Sequence, residues 1–236
     1  MNLYVRTIRA AVKVYPDILP LLKGRARWVA FADGGEYKTY DYYLQQLTRL
    51  ITSVYNGNLA GEFIDIMANL IQGQIYQAVN QAWLDSGMDG SLPDYLVSLA
   101  DDIVLGQYEH VDQLYRDIVD ARLDGTPLAP LLARAPLWAT RWTEAYNQAM
   151  LLIAAEMGQR MVWELGATEQ HCETCAALNG IVAFASEWEE LGVMPQSAPN
   201  DALQCGGWKC DCKLTPTEQR RSPDAYGRII NATVKL

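Results

Sequence analysis

All five cysteines of this chain lie in one stretch, between residues 172 and 212. They form an early pair, Cys172 and Cys175, and a later cluster, Cys205, Cys210 and Cys212. A tetrahedral site for a soft metal ion needs four donors at one point, and two cysteines separated by two residues can bind the ion from a single turn. The pattern therefore predicts a structural zinc ion that is bound by four of these five cysteines.

The sequence leaves the choice of the four ligands open. The early pair is the natural first half of the site. Cys205 with Cys210 is the slightly favoured second half, because Cys210 and Cys212 would point to opposite sides of a regular strand, and the glycines at 206–207 give the connecting turn conformational freedom. Cys210 with Cys212 is the alternative, and it leaves Cys205 spare. His171 is adjacent to the first ligand and is expected to face away from the site. Inert thiols in an apolar core are the remaining interpretation.

The totals of the chain favour a soluble protein with a substantial core. It has 236 residues, half of them hydrophobic, which is enough for one large domain or two small ones. No apolar stretch reaches the roughly 18–20 residues that a membrane span needs, and basic residues interrupt the N-terminal apolar residues before a signal peptide can form. We therefore expect no membrane partner, and synthesis in a reducing cytoplasm, where clustered cysteines favour metal binding over disulfides.

The charges are distributed unevenly along the chain, whose formal net charge is −9. Residues 1–32 carry six basic groups and one acidic group, and residues 213–236 carry five basic and two acidic groups. The strongly acidic middle would repel nucleic acid, so only the basic ends could attract phosphate or an acidic protein surface. We predict that residues 1–32 form a basic N-terminal arm.

Apolar residues recur at helical spacing through the first two-thirds of the chain. We expect one helix to begin near Ser91, as its cap, and to run to the break at residues 124–125. A long last helix is expected from Pro136 to about Leu165. The predicted fold class is therefore mainly α, with an α-helical body at 33–165.

The composition changes after Gly166, where glycine, proline and cysteine become frequent and only short apolar pieces remain. A segment with so little to bury is expected to need a metal bridge to hold its shape. We therefore predict a small, irregular, zinc-stapled module at 166–215. The polar residues at 216–236 are expected to form a loosely attached C-terminal tail.

Residues 134–216 carry several motifs in an order that is typical of one protein family. In chain order they are Trp142-Thr143-Glu144 with Asn147, Trp163, the run from His171 to Gly180, Pro195 or Pro199, and Cys210-Asp211-Cys212. Over roughly residues 134–216, this arrangement resembles the minor head proteins of tailed phages, the head-morphogenesis proteins of the Mu F-like type. The C-terminal module of that family pairs a long helix with a C-x-x-C-x-x-L-x-G segment, a proline-rich loop and a closing H…C-x-C. Where the family commonly has the histidine, this chain has Cys205.

The resemblance implies a virion protein that is present in few copies and takes part in head assembly. Its expected partners are the phage portal protein, the major capsid protein or both, at the portal vertex or on the inside of the capsid. The basic ends would be available to packaged DNA. Function would then lie in surfaces, without catalytic residues, so we predict a non-enzymatic protein.

Two other functions remain open at this point. The sequence His-Cys-Glu at 171–173 matches the H-x-E element of zinc deaminases, in which His171, Cys205 and Cys210 would hold zinc and Glu173 would shuttle protons. The later element lacks the proline that this pattern requires, and the early pair of cysteines would be unused. A nucleic-acid-binding zinc module that uses the basic ends is the other alternative.

Overall fold

The computed structural model of the protein describes residues 40–167, 170–208 and 210–233. The chain divides into two units, the first Met1–Gln81 with Ser91–Ala145 and the second Ala82–Gly90 with Tyr146–Leu236. The predicted basic arm lies outside the described residues. The mainly α fold class is confirmed, and a small sheet accompanies the helices in the second unit.

The first unit is built from helices. In chain order these are α1 (Tyr40–Tyr55), a short 3-10 helix (Ala60–Glu62), α2 (Phe63–Asp85), α3 (Asp94–Tyr108), α4 (Val111–Leu123), α5 (Ala129–Leu132), α6 (Ala135–Ala139) and α7 (Arg141–Glu156). Helices α2 and α7 contribute residues to both units. Helix α1 buries Tyr43, Leu47, Leu50, Ile51 and Val54 on one side, as its helical spacing predicts. This face packs against α4, α5 and α6.

A buried glutamine joins α2 to the end of α6. The Nε2 atom of Gln74 donates hydrogen bonds to the carbonyl oxygens of Trp138 at 3.0 Å and Ala139 at 2.6 Å. The last carbonyl groups of a helix have no partner within the helix, so the amide satisfies groups that would otherwise be buried without a hydrogen bond. Gln74 is therefore a core residue of the first unit in spite of its polarity.

The chain forms two helices, α3 and α4, in the region where the sequence predicts a single helix. Helix α3 begins after Pro93, so Ser91 is not its cap, and it ends at a break at residues 109–110. Tyr108 and Val111, on the two sides of the break, are both buried. No glycine or proline marks this position. The break thus follows from the packing of the residues around it, which helical periodicity does not reveal.

The predicted last helix of the body is too long. Helix α7 ends at Glu156, Gly158 takes a φ of 62°, and the chain then forms strand β1 (Arg160–Glu164) in place of a helix to Leu165. A glycine in the left-handed conformation is a common helix end. Methionines at 157 and 161 have helical spacing, which explains why the pattern appeared to continue. The three central residues of β1 are buried, a property shared by strands that are covered on both faces.

The sheet of the second unit has three antiparallel strands in the order β2-β1-β3. After β1, the second unit contains, in chain order, α8 (Glu173–Leu178), β2 (Val182–Phe184), α9 (Ala185–Glu190), β3 (Lys213–Pro216) and α10 (Ala225–Thr233). Val162 in β1 lies opposite Val182 in β2 and opposite Thr215 in β3. Strand β3 begins directly after Cys212, so the sheet fixes where the later cysteines enter the unit.

The second unit has a substantial apolar core, and the prediction that the cysteine-rich region has little to bury is wrong. Trp163 and Trp188 are fully buried, with ring centroids 5.7 Å apart. The predicted loose attachment of the tail is also wrong for the described residues, because Ile229 of α10 is buried in this core and Arg221 forms an ion pair with Glu187. Sequence patterns missed the core because α7, β1, α9 and α10 each supply only a few of its residues.

Candidate metal centre

Each of the five cysteines is placed by a short, defined piece of backbone. Cys172 immediately precedes α8, and Cys175 lies in the first turn of that helix. Cys205 lies in a turn, and the two glycines after it take positive φ values. Cys210 and Cys212 belong to the segment that leads into β3. Three separate pieces of the chain therefore carry the thiols.

The five sulfur atoms converge in the second unit. The sulfurs of Cys172, Cys175 and Cys205 lie within 4.8 Å of one another, and so do those of Cys175, Cys210 and Cys212. Cys175 belongs to both groups, and its sulfur is 4.0 Å from that of Cys210. Around a tetrahedral ion with metal–sulfur bonds of about 2.3 Å, the sulfurs would be separated by roughly 3.8 Å. The cysteines thus cluster at a spacing that is compatible with a metal site.

The cluster lies against the apolar core of the second unit. Cys175 and Cys212 are buried, and Cys172, Cys205 and Cys210 are half-buried and pack against the same core. Burial excludes water from part of the cluster, which strengthens the interaction between a cation and its thiolate ligands. It also restricts the movement of the sulfurs.

Backbone N–H groups contact the sulfurs. The N–H of Cys175 donates a hydrogen bond to the Cys172 sulfur at 3.4 Å, so Cys172 caps the N-terminus of α8. Further backbone hydrogen bonds run from Cys205 to the Cys172 sulfur, from Gly207 to Cys205, from Gln196 and Cys212 to Cys210, and from Gly166 to Cys212. Donors in these positions stabilise the thiolate, which is the form of cysteine that binds metal.

The thiols do not ionise independently. The pKa of Cys210 is lowered to about 5, above all because its sulfur accepts a hydrogen bond from the Cys175 thiol, and the same contact raises the pKa of Cys175. Burial raises the pKa of Cys205 to about 11 and also raises the pKa of Cys212. A bound cation would replace the protons that these thiols share and would remove the repulsion among the thiolates.

Two hydrogen bonds hold α8 against the turn that carries Cys205. The backbone N–H of Glu173 donates to Oε1 of Gln204 at 2.9 Å, and the N–H of Gln204 donates to the hydroxyl of Thr174 at 3.3 Å. Thr174 is buried. Neither Gln204 nor Thr174 is among the residues that the sequence predicts for the site, and their only sequence signal is that each stands next to a cysteine.

His171 turns toward the cluster, so the prediction that it faces away is wrong. Its Nδ1 atom is 3.9 Å from the Cys212 sulfur. Asp211, which is not among the residues that the sequence predicts for the site, lies with them: donor atoms of His171, Asp211 and Cys212 are all within 4.8 Å of one another. The only sequence signal for Asp211 is its place between two cysteines.

The three zinc ligands of the zinc-deaminase pattern, His171, Cys205 and Cys210, do not form one group in this structure. His171 groups with Cys212, whereas Cys205 groups with the early pair. Glu173, the residue that would shuttle protons, lines a cavity of about 340 Å³ together with Arg228. None of the cysteines is among the described residues that line this cavity. The cavity therefore does not give the described thiols the open position that the pattern requires.

Comparison with protein-family models, with curated proteins and with solved structures finds no match for this chain. Within 40–167, 170–208 and 210–233, none of the helices combines the length and apolar character needed to cross a membrane. The arrangement of the thiols is the structural observation on which the proposed function is based.

Proposed function

We propose that this chain is a non-enzymatic structural protein whose C-terminal region binds a zinc ion through Cys172, Cys175, Cys205 and Cys210. The observation that carries the proposal is the convergence of sulfurs from separate pieces of backbone around Cys175. An all-thiolate set of four donors is soft and suits tetrahedral zinc. A closed site of this kind leaves no position for a reacting water and acts as a cross-link.

The choice of Cys210 as the fourth ligand follows from its contact with Cys175. The sulfurs of Cys172, Cys175 and Cys205 form one close group, and Cys210 is in contact with the member that is shared by both groups. Its low pKa makes Cys210 the thiol that is most readily available as thiolate at neutral pH. This set leaves Cys212 outside the four-thiolate site.

The zinc ion would link three segments of the chain: the start of α8, the turn at Cys205, and the entry to β3. Most of the buried residues in the tryptophan core of the second unit are not cysteines, so the ion has a local task. It fixes the loops at 193–212 and so shapes the surface that these loops form. Such a role is mechanical, which is consistent with a protein that acts through contacts with partners.

The resemblance of residues 134–216 to the Mu F-like head-morphogenesis proteins supports a phage minor head protein as the biological role. In this role the chain would be a virion component of low copy number at the portal vertex or inside the capsid. Its partners would be the portal protein, the major capsid protein or both. The basic ends, 1–32 and 213–236, would be available to packaged DNA.

Metal analysis tests the zinc site. The protein, purified under reducing conditions, is expected to contain zinc, and Cys175→Ser is expected to lose the ion of the four-thiolate site because this sulfur lies at the centre of the cluster. Cys212→Ser removes a neighbouring thiol but leaves all four proposed ligands, so it is expected to keep the ion of this site. Metal-free wild-type protein, or a Cys175→Ser variant that binds as much zinc as the wild type, would contradict the proposed site.

The proposed role in the head is tested in particles of the phage that encodes the chain. Quantitative mass spectrometry of purified virions is expected to detect the protein in far fewer copies than the major capsid protein. Loss of the gene is expected to reduce the yield of complete heads. A protein absent from both virions and head precursors, with normal heads in the deletion strain, would rule out this role.

A further inference from the structure

We propose that His171, Asp211 and Cys212 form a second cation site beside the four-thiolate site. The inference rests on the proposed zinc site in one respect, because it uses Cys212, which is not a ligand of the four-thiolate site. The ligand would be a divalent transition metal, with zinc as the natural occupant. The C-terminal region would then hold two cations where the cysteine pattern alone indicates one.

The geometry brings three different donors to one place. His171 Nδ1 is 3.9 Å from the Cys212 sulfur, and a carboxylate oxygen of Asp211 lies within 4.8 Å of both donor atoms. Imidazole, carboxylate and thiolate are all ligands of zinc, with bonds of about 2.0–2.3 Å. Three protein donors at these separations can surround one ion after small side-chain rotations. His171 is next to Cys172, and Asp211 lies between Cys210 and Cys212, so the convergence of the cysteines brings these donors together from distant parts of the sequence.

Gly166 lies directly against Asp211 at one side of the proposed site. A Cβ atom at this position would overlap Cγ and the backbone carbonyl oxygen of Asp211. The backbone N–H of Gly166 also hydrogen-bonds the Cys212 sulfur. The glycine thus permits a close approach of the Asp211 carboxylate, and its N–H orients the sulfur. These contacts preorganise two of the three donors.

The charges of the site match a divalent cation. The side chains of Cys212 and Asp211 can each supply one negative charge to a cation, and the imidazole of His171 can supply a nitrogen lone pair. The sulfurs of Cys175 and Cys210 lie within 4.8 Å of the Cys212 sulfur, so the two cations would be neighbours.

Metal stoichiometry of the full chain tests the proposal, measured by native mass spectrometry and elemental analysis after loading with zinc. We expect about two zinc ions per wild-type chain. His171→Ala and Asp211→Asn are each expected to retain about one zinc ion, because the four-thiolate site keeps all its ligands. Asp211→Asn keeps the shape of the side chain beside Gly166 and so guards against a variant that fails to fold.

The chain offers a matched control for each variant. His110, the other histidine of the chain, is exposed at the start of α4, and Asp201 is an exposed acidic residue of the same unit as the site. His110→Ala and Asp201→Asn are expected to bind as much zinc as the wild type. Circular dichroism of every variant verifies that the helices are intact.

The possible outcomes separate the two sites. One ion in the wild type, unchanged in His171→Ala and Asp211→Asn, overturns the second site and leaves the four-thiolate site standing. Two ions that persist in both variants place the second cation elsewhere and also overturn the proposal. Loss of both ions from a folded His171→Ala protein means that the histidine belongs to a single shared site. A wild type that binds no ion overturns this inference and the proposed zinc site together.

Discussion

The sulfur of Cys175 lies 4.0 Å from the sulfur of Cys210, thirty-five positions later in the chain. The first of these residues is held by helix α8 and the second by the segment that enters β3. Their contact closes a loop that contains several glycines and prolines. A cation at this point would join the two ends of the loop and restrict its conformations.

Removal of metal is expected to loosen the loops around the cysteines without unfolding the second unit. Most buried residues of the apolar core around Trp163 and Trp188 are not cysteines, so this core should persist after chelation. Hydrogen exchange is expected to become faster at 193–208 and to change little in β1 and β2. Equal loss of protection throughout the second unit would show that the metal supports the whole unit and would contradict this prediction.

Trp188→Ala is expected to destabilise the second unit by about 3–5 kcal/mol, because it leaves a cavity in a fully buried position. Chemical denaturation followed by circular dichroism measures the change in free energy of unfolding. Trp208→Ala is the control, since this side chain is 45% exposed and its removal should change the stability by less than about 0.5 kcal/mol. Similar losses in the two variants would contradict the proposed core.

Gln74→Ala is expected to destabilise the first unit by about 1–3 kcal/mol, because two carbonyl groups at the end of α6 lose their donor in a buried environment. The measurement is the midpoint of thermal unfolding. Gln113→Ala serves as the control, since Gln113 is exposed and its amide donates a hydrogen bond to Asp117, one helical turn away. A shift in Gln113→Ala as large as that in Gln74→Ala would argue against a special role for Gln74.

The ion pair between Glu187 and Arg221 is expected to make the stability of the second unit depend on pH. The hydrogen bond from Arg221 lowers the pKa of Glu187 below its ordinary value of 4.5. A carboxyl group with a lowered pKa stabilises the folded state above that ordinary value, and the contribution disappears as the pH falls through the lowered pKa. Glu187→Gln should therefore be less stable than the wild type at pH 7, with a difference that shrinks in acid.

Unfolding curves of Glu187→Gln and the wild type at several pH values measure this difference. Glu189→Gln, with an exposed side chain on the same helix, is the control and should follow the wild type at every pH. A constant difference between Glu187→Gln and the wild type down to strongly acid pH would mean that the ion pair is not its cause.

Local patterns predicted the parts of the fold that depend on neighbouring residues. The buried face of α1 follows from apolar residues at helical spacing, and the sequence also indicated a predominantly helical chain. The same rule failed at β1, where helical spacing continued across Gly158, and at the break between α3 and α4. Before β1 the helical pattern missed a local stop signal, Gly158, whereas at the break between α3 and α4 packing outweighed the local preference, and a single sequence does not contain that packing in readable form.

By itself, the sequence determined the mainly α class and the grouping of the cysteines, because both depend on residue type and spacing. Only the tertiary structure decided that all five sulfurs converge, that His171 turns inward, and that Asp211 lies beside it. These facts depend on how distant segments approach one another across the sheet and the tryptophan core. The physical reason is that long-range packing sets the direction of each side chain, whereas spacing along the chain limits only which neighbours can share a turn.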